Sequence, residues 1–436
     1  MNRRYRTYSP DQGFLFPPSP RDWLPDDHLV HFVSDLVDEM DLSEIDRYYD
    51  RELRGQPPYD PRMMTKVLVY AYCVGVYSSR RIAKRLQEDV AFRLVAAGND
   101  PDFRTISEFR RIHLKALSRL FEQVLIVAKG AGAVRVGRVV VDGSKIKANA
   151  SKHKAMSYGR MVEKERELKE EVKGLLAKAE EVDAEEDATY GDSSGDEGLP
   201  VELKRREDRL KKIREAKKAL KERAQEKAAE EGRAPEEAKP KEKDQYNFTD
   251  PQSRIMKGSD GFVQAYNTQI AVDSGSQIIV GQSVTQQVND KEQLVPMIEA
   301  VEAQSGERPK EVIADNGYCS EKNLLLLEST EKPEKKVDAY IATGREAHKK
   351  GSEMSCRGPL PKDASRVERM TRKLRTVLGQ AIYATRKGIV EPVYGQIKYG
   401  SGFREFLLRG LEKVRGEWSL VCLAHNIKKL YRFSYT

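Results

Sequence analysis

Val139-Val140-Val141-Asp142-Gly143 is a β-branched run that stops on a carboxylate and a glycine. A run that is apolar at every position reads as a strand covered on both faces, as in the interior of a mixed or parallel sheet. Glu311-Val312-Ile313-Ala314-Asp315-Asn316-Gly317 repeats the pattern downstream. Between them, Gly261 to Val272 alternates, with Phe262, Tyr266, Ile270 and Val272 on one face. Asp273-Ser274-Gly275-Ser276 reads as a turn, and Gln277 to Thr285 as the returning hairpin strand. Leu294, Met297, Ile298 and Val301 share a helical face, and Pro296 makes the first turn of that helix irregular. A helix around Leu324 to Leu327, a last strand at Asp338-Ala339-Tyr340-Ile341-Ala342 and helices from about Ser365 complete the chain.

The order strand, strand, strand, helix, strand, helix, strand, helices predicts an α/β fold. It is the ribonuclease H-like layout: a mixed sheet flanked by helices, with the ends of the first and fourth strands side by side. Asp142 and Asp315 fall at those two ends. A single Asp after a strand is ordinarily a turn or cap residue, so the expectation rests on their joint placement. Two carboxylates that close repel unless a divalent cation neutralises them, and hard oxygen ligands select Mg²⁺, or Mn²⁺ in its place. A third carboxylate is expected from a later helix. Glu391 is the candidate, because Tyr383, Arg386, Val390, Val393, Tyr394, Ile397 and Lys398 surround it at helical intervals. Pro392 biases Glu391 away from ideal helix geometry and predicts a kink or a helix start there. Three such acids suit two-metal cleavage of a phosphodiester without a covalent protein intermediate. Arg386, Lys387 and Lys398 would then bind the phosphates beside the cut.

The remaining regions set the context. Lys and Arg number 77 against 69 Asp and Glu, a formal charge of +8 that favours a polyanionic partner such as nucleic acid. Residues 1–20 read as an extended Pro-rich arm and 21–130 as an all-α, DNA-binding N-terminal domain. Arg80, Arg81 and Lys84 lie on one short basic helix, and Thr105-Ile106-Ser107-Glu108-Phe109-Arg110-Arg111 opens another. Two such helices suit a helix-turn-helix reader, or equally a helical bundle with solvated cations. Residues 131–154 and 245–436 form the expected catalytic domain, interrupted by a charged insertion at 155–244. Thin stripes in the insertion, Met161, Leu168, Val172, Leu175 and Ala179 against Leu203, Leu210, Ile213 and Leu220, predict a coiled-coil helical hairpin; a disordered charged linker is the alternative. Tyr190 to Gly198, acidic and rich in Gly and Ser, reads as its flexible tip. Cys73, Cys319, Cys356 and Cys422 lack metal-site spacing, and the six histidines form no ligand pattern. His425 is expected in packing, and Trp23 and Trp418 in a core or interface. The N-terminus leads into Pro17-Pro18 rather than an apolar segment, and no stretch approaches the about 20 apolar residues that span a bilayer. A cytoplasmic protein is expected, with no membrane partner.

At these residues the chain resembles the bacterial insertion-sequence transposases with a DDE catalytic domain, in the branch with a helical N-terminal domain and a long insertion after the first catalytic strand. The pieces are Val140-Val141-Asp142-Gly143-Ser144-Lys145-Ile146, Gly261-Phe262-Val263-Gln264-Ala265-Tyr266-Asn267-Thr268-Gln269, Ala314-Asp315-Asn316-Gly317-Tyr318 and Ile389-Val390-Glu391-Pro392-Val393-Tyr394-Gly395-Gln396-Ile397-Lys398. The resemblance extends over nearly the whole chain, and it is the combination that is specific. In that family the third acid stands in a signature of Tyr, two residues, Arg, three residues, Glu, six residues, Lys. Tyr383, Arg386, Glu391 and Lys398 match in type, but four residues separate Arg386 from Glu391, and Lys387 has the family spacing. Both stay open as the phosphate-binding cation. The resemblance implies a metal-dependent enzyme that cuts at terminal inverted repeats and joins the freed 3′ ends to target DNA, as a homodimer on double-stranded DNA. Thr249-Asp250-Pro251-Gln252-Ser253-Arg254 also resembles the family and is expected to approach the active site. Rival readings are a transposase-derived DNA-binding protein without catalysis, a metal-dependent nuclease of the same fold, and a coiled-coil scaffold.

Overall fold

The computed structural model describes residues 19–50, 57–189, 198–230, 232–258, 261–328, 336–344, 361 and 363–435. The extended arm up to residue 18, Cys356, and the tip of the insertion at 190–197 lie outside them. Two compact units are present. One comprises the chain up to Ser144, Asn267–Leu408 and Glu412 onward; the other comprises Lys145–Tyr266 with Arg409–Leu411.

The first unit begins with helices α1 (Leu29–Asp38), α2 (Ser43–Tyr49), α3 (Pro61–Cys73), α4 (Ser79–Glu88), α5 (Val90–Val95) and α6 (Phe103–Gly130). Aspartate caps set the starts of α3, α5 and α6. Asp60 accepts from the Met63 N–H ahead of Pro61, Asp89 from Ala91 and Phe92, and Asp102 from Arg104 and Thr105. Helix α3 is buried nearly all round, so it is the centre of this bundle rather than a face of it. On α4, Ile82 and Leu86 point inward, while Arg80, Arg81 and Lys84 are exposed. Arg80 lies over the Phe103 ring at 5.0 Å, a contact that orients its guanidinium. Strand β1 (Arg138–Lys147) follows, with Val139, Val140 and Val141 fully buried.

The second unit holds β2 (Ala155–Ser157), α7 (Tyr158–Thr189), α8 (Gly198–Glu230), β3 (Gln245–Asn247), β4 (Arg254–Gly258) and the start of β5 (Gly261–Asp273). Helices α7 and α8 form the expected hairpin. Met161, Leu168, Leu210, Ile213, Ala216 and Leu220 make its core, next to Met156, Tyr158 and Tyr246. Glu165 staples the two arms: it accepts from Lys217 at 2.6 Å and pairs with Arg214 at 3.3 Å and Lys169 at 3.0 Å. These cations, Lys217 foremost, pull its carboxyl down to about 2. The short strands β2, β3 and β4 were not legible, because three to five residues are too few to show a period. The Thr249–Arg254 peptide braces itself. Asp250 is fully buried and accepts from the Tyr266 hydroxyl at 2.9 Å, and Arg254 donates to the carbonyls of Pro251, Gln252 and Ser253. Of the residues that alternate onto one face, Tyr266, Ile270 and Val272 are fully buried, whereas Phe262 is 63% exposed. It pairs with Lys257 on the strand β4, which the alternation did not reveal.

The first unit resumes with the rest of β5, then β6 (Ile279–Thr285), α9 (Leu294–Ser305), β7 (Glu311–Ala314), α10 (Glu321–Glu328), β8 (Asp338–Ile341), α11 (Arg366–Arg375), α12 (Val377–Gly395) and α13 (Leu411–Ser434). Its strands run in the order β6-β5-β1-β7-β8. Strands β5 and β6 are an antiparallel hairpin, whereas β1, β7 and β8 are mutually parallel. Parallel neighbours require crossovers, and α10 supplies the one between β7 and β8. Asp273 closes the hairpin turn by accepting from Gly275 and Ser276, and Gln277 adopts φ +59° to complete it. Gly281 lets α9 approach the sheet, since a Cβ there would lie 2.6 Å from Val301 Cγ2.

Helix α13 joins the N-terminal helices to the sheet side of this unit. Gly416 admits the Leu114 side chain of α6, Ser419 donates to the Ser118 carbonyl at 2.8 Å, and Asn426 bridges both backbone groups of Ile279. Trp418 is fully buried, as expected, whereas Trp23 is 54% exposed. Glu417 is buried as well and takes the N–H groups of Leu407 and Leu408; desolvation pushes its carboxyl up to about 7. His425 is a packing residue as expected, its ring 3.0 Å from the Gln277 carbonyl, and burial pushes its pKa down to about 3. Among the described residues no helix is long and apolar enough to cross a membrane.

Candidate active site

The register between β1 and β7 fixes the first pair of acids. Val141 stands opposite Ala314 in the last pair of this parallel ladder, so Asp142 and Asp315 are neighbours; Asp315 follows the end of β7, whereas β1 runs on through Asp142 to Lys147 and does not stop at its carboxylate as expected. Each carboxylate is held by the backbone that follows it. Asp142 Oδ1 accepts from the Gly143 N–H at 2.9 Å, and Asp315 Oδ1 accepts from Gly317 at 2.8 Å. Burial pushes the Asp142 carboxyl up to about 6; the Arg386 guanidinium opposes this, and the negative charges of Asp315 and Asp290 add to it.

Helix α12 brings the rest. Tyr383, Arg386, Val390 and Tyr394 recur every three or four residues on its inward side, whereas Lys387 and Glu391 fall among its exposed positions. Arg386 therefore turns toward the acids and Lys387 toward solvent. Arg386 is 13% exposed; its Nη1 lies 3.6 Å from Asp142 Oδ2 and its Nη2 3.8 Å from Glu391 Oε1. Nη1 is buried without a hydrogen-bond partner. Tyr383 lies near enough to feel the same guanidinium's charge, which opposes the upward push of burial on its hydroxyl. Glu391, 54% exposed, has room to turn.

Pro392 sits inside α12, which continues through it, so the expected helix start is not what forms. Lacking an N–H, Pro392 leaves the Gly388 carbonyl without its helical donor. The Gln277 side chain takes that carbonyl at 2.9 Å. The helix then widens into a π turn at Gln396–Gly400, which carries Lys398. Lys398 Nζ reaches Ser144 Oγ at 2.5 Å, two residues along β1 from Asp142. Tyr394 braces this stretch of β1, donating to the Thr268 carbonyl at 2.9 Å and lying 3.3 Å from the Asp142 carbonyl.

Sequence reasoning missed the polar floor of this site. Asp290 accepts from Asn267 Nδ2 at 2.6 Å and from Gln269 Nε2 at 2.7 Å, and the buried Tyr318 hydroxyl donates to Gln269. Gly143 makes room for this floor: a Cβ there would stand 2.4 Å from Gln269 Nε2 and 2.8 Å from Asp290 Oδ1. Asp290 lies in the polar turn Asn289-Asp290-Lys291-Glu292, where an acid carries no distinguishing signal.

The structure thus gathers Asp142, Asp315, Tyr383, Arg386, Glu391 and Lys398 at one end of the parallel strands. Arg80, Arg81 and Lys84 stay on the exposed side of α4, outside this set. Among the described residues no three Asp, Glu, His or Cys side chains stand close enough to hold a metal ion as they are placed. The donor chemistry nevertheless suits one. Two hard carboxylates follow the last paired residues of adjacent parallel strands in a poorly solvated place, and the nearest charge between Asp142 and Glu391 is a cation that lacks hydrogen-bond partners on one arm.

Residues 18–111 match a family described as a transposase domain (DUF772), and residues 346–431 match one described as a transposase DDE domain. The first covers the helices through most of the first third of α6, and the second covers α11, α12 and most of α13, with Arg386, Glu391 and Lys398. Asp142 and Asp315 lie outside both stretches. No curated protein and no solved structure matches the chain.

Proposed function

Since the chain is an insertion-sequence transposase with a DDE domain, we propose that it binds the ends of its element, cleaves their phosphodiester bonds and joins the 3′ ends to target DNA, with Asp142, Asp315 and Glu391 as the acidic triad. The observation that carries this reading is the β1–β7 register, which sets Asp142 and Asp315 side by side, with α12 presenting Glu391 to the same place. The antiparallel β5–β6 hairpin joined to the parallel β1-β7-β8 set supports a ribonuclease H-like reading of the sheet.

Asp142, Asp315 and Glu391 would hold Mg²⁺, or Mn²⁺ in its place. Bound there, the metal would supply Lewis-acid stabilisation of the attacking and leaving oxygens. The protein's own groups do the rest. Lys398, Arg386 and the exposed Lys387 offer positive charge to the phosphates flanking the cut, with Tyr383 beside Arg386. Tyr394 at the Asp142 carbonyl and the Gly143 N–H on its carboxylate would hold Asp142 in place, so that it is preorganised rather than drawn into place by substrate. Arg80, Arg81 and Lys84 form the basic face with which α4 would contact duplex DNA, in a protein acting in the cytoplasm as a dimer on the two element ends.

Strand transfer tests the reading. Purified protein, Mg²⁺ and a labelled duplex ending in the element's inverted repeat are expected to give a nick at the repeat boundary and joined products with a target plasmid. Nicking without any joined product would favour a nuclease of the same fold. Binding without cleavage in either Mg²⁺ or Mn²⁺ would leave a DNA-binding protein only.

A further inference from the structure

We infer that the Arg386 guanidinium is the resident cation of the metal-free site, standing between Asp142 and Glu391 until a divalent ion displaces it toward a DNA phosphate. The inference rests on the metal-dependent reading above and concerns how that site is kept before it is loaded.

The geometry is unusual for an arginine among carboxylates. A guanidinium normally docks on a carboxylate through two short, parallel hydrogen bonds of about 2.7–2.9 Å. Here each arm faces a different acid, at 3.6 Å from Asp142 and 3.8 Å from Glu391. Those separations are ion pairs, not hydrogen bonds, and Nη1 is buried with no hydrogen bond. The charge is therefore held by the field of the surrounding acids rather than by directional bonds. Asp142 feels Asp315 and Asp290 as well as Arg386, so removing the guanidinium with nothing in its place leaves mutual repulsion in a poorly solvated pocket.

Helix α12 makes the exchange local. Arg386 and Glu391 sit on one helix, so the guanidinium can leave by side-chain rotation while the backbone that presents Glu391 stays where it is. An arginine suits this role because it remains charged in both positions and matches phosphate geometry once released. The unpartnered Nη1 is then satisfied by the substrate, which couples metal loading to DNA engagement.

The test compares the full-length protein with Arg386→Gln and Arg386→Lys in the absence of DNA. Mn²⁺ affinity is measured by calorimetry, and thermal melting is followed in EDTA and in saturating Mn²⁺. Arg386→Gln is expected to melt below the wild type in EDTA, to bind Mn²⁺ on the order of tenfold more tightly, and to gain more in melting temperature from Mn²⁺. Arg386→Lys is expected to fall between them. Should Arg386→Gln be unfolded in EDTA, recovery of its fold on adding Mn²⁺ supports the inference and failure to recover overturns it. Equal or weaker Mn²⁺ binding by Arg386→Gln, with the wild type still binding, overturns the inference and leaves the metal-dependent reading standing. Absence of Mn²⁺ binding by every variant, wild type included, overturns both.

Discussion

Asp142→Asn is expected to lower DNA cleavage by on the order of 10³-fold or more while the protein folds and binds DNA as before. Metal stabilisation of the reacting oxygens is worth several kcal/mol, and each 1.36 kcal/mol is about a factor of ten in rate. On the proposed triad, losing the Asp142 carboxylate beside Asp315 forfeits most of that. The fold should tolerate the change. Asn is isosteric, its Oδ1 can still accept from the Gly143 N–H, and the substitution removes a carboxylate that burial and two neighbouring acids already disfavour. Cleavage rates under single-turnover conditions, with circular dichroism and a DNA-binding titration on the same preparation, check the expectation. Cleavage at the wild-type rate would remove Asp142 from the mechanism.

Trp418→Ala is expected to cost the fold about 3–5 kcal/mol, the range for emptying a large aromatic from a packed core. Trp418 is fully buried, lies 6.3 Å from the Tyr394 ring at a 19° tilt, and packs against Phe403 and Phe406. Its Nε1 has no hydrogen-bond partner, so the side chain contributes through apolar volume, and Trp418→Phe should cost much less. The loss also reaches the chemistry. Tyr394 braces the Thr268 and Asp142 carbonyls, and a cavity behind its ring frees it to move. Chemical denaturation compared across wild type, Trp418→Phe and Trp418→Ala gives the stability. Cleavage assayed where Trp418→Ala remains folded gives the rest. A Trp418→Ala protein as stable as the wild type would show that this core is not packed as described.

The elements that organise the site were legible because their signals are local. Val139–Val141 and Val312–Ala314 are buried on both faces, which is why neither run alternates, and each stops where its carboxylate emerges. The insertion's stripes pointed to paired helices because Met161, Leu168, Leu210, Ile213 and Leu220 recur at helical spacing, and these residues make the buried cluster between α7 and α8. What stayed hidden depends on proximity in space. Asp290 joins the site through Asn267 and Gln269 on a neighbouring strand, and nothing in its own turn announces that. That Arg386 rather than Lys387 faces the acids follows from which side of α12 meets the sheet, with Tyr383, Val390 and Tyr394 inward, a feature of the packing that family spacing does not carry. Pro392 was read correctly as a disturbance, but its effect is absorbed by a side chain from a distant turn, Gln277, and by a π turn further along.

The most direct measurement is anomalous diffraction from crystals of the protein bound to its end DNA and soaked with Mn²⁺. The account expects Mn²⁺ between the Asp142 and Asp315 carboxylates, Glu391 turned in as a further ligand, and the Arg386 guanidinium moved from between Asp142 and Glu391 onto a phosphate. Manganese bound elsewhere, with Asp142 and Glu391 still separated by Arg386 on a cut substrate, would contradict it.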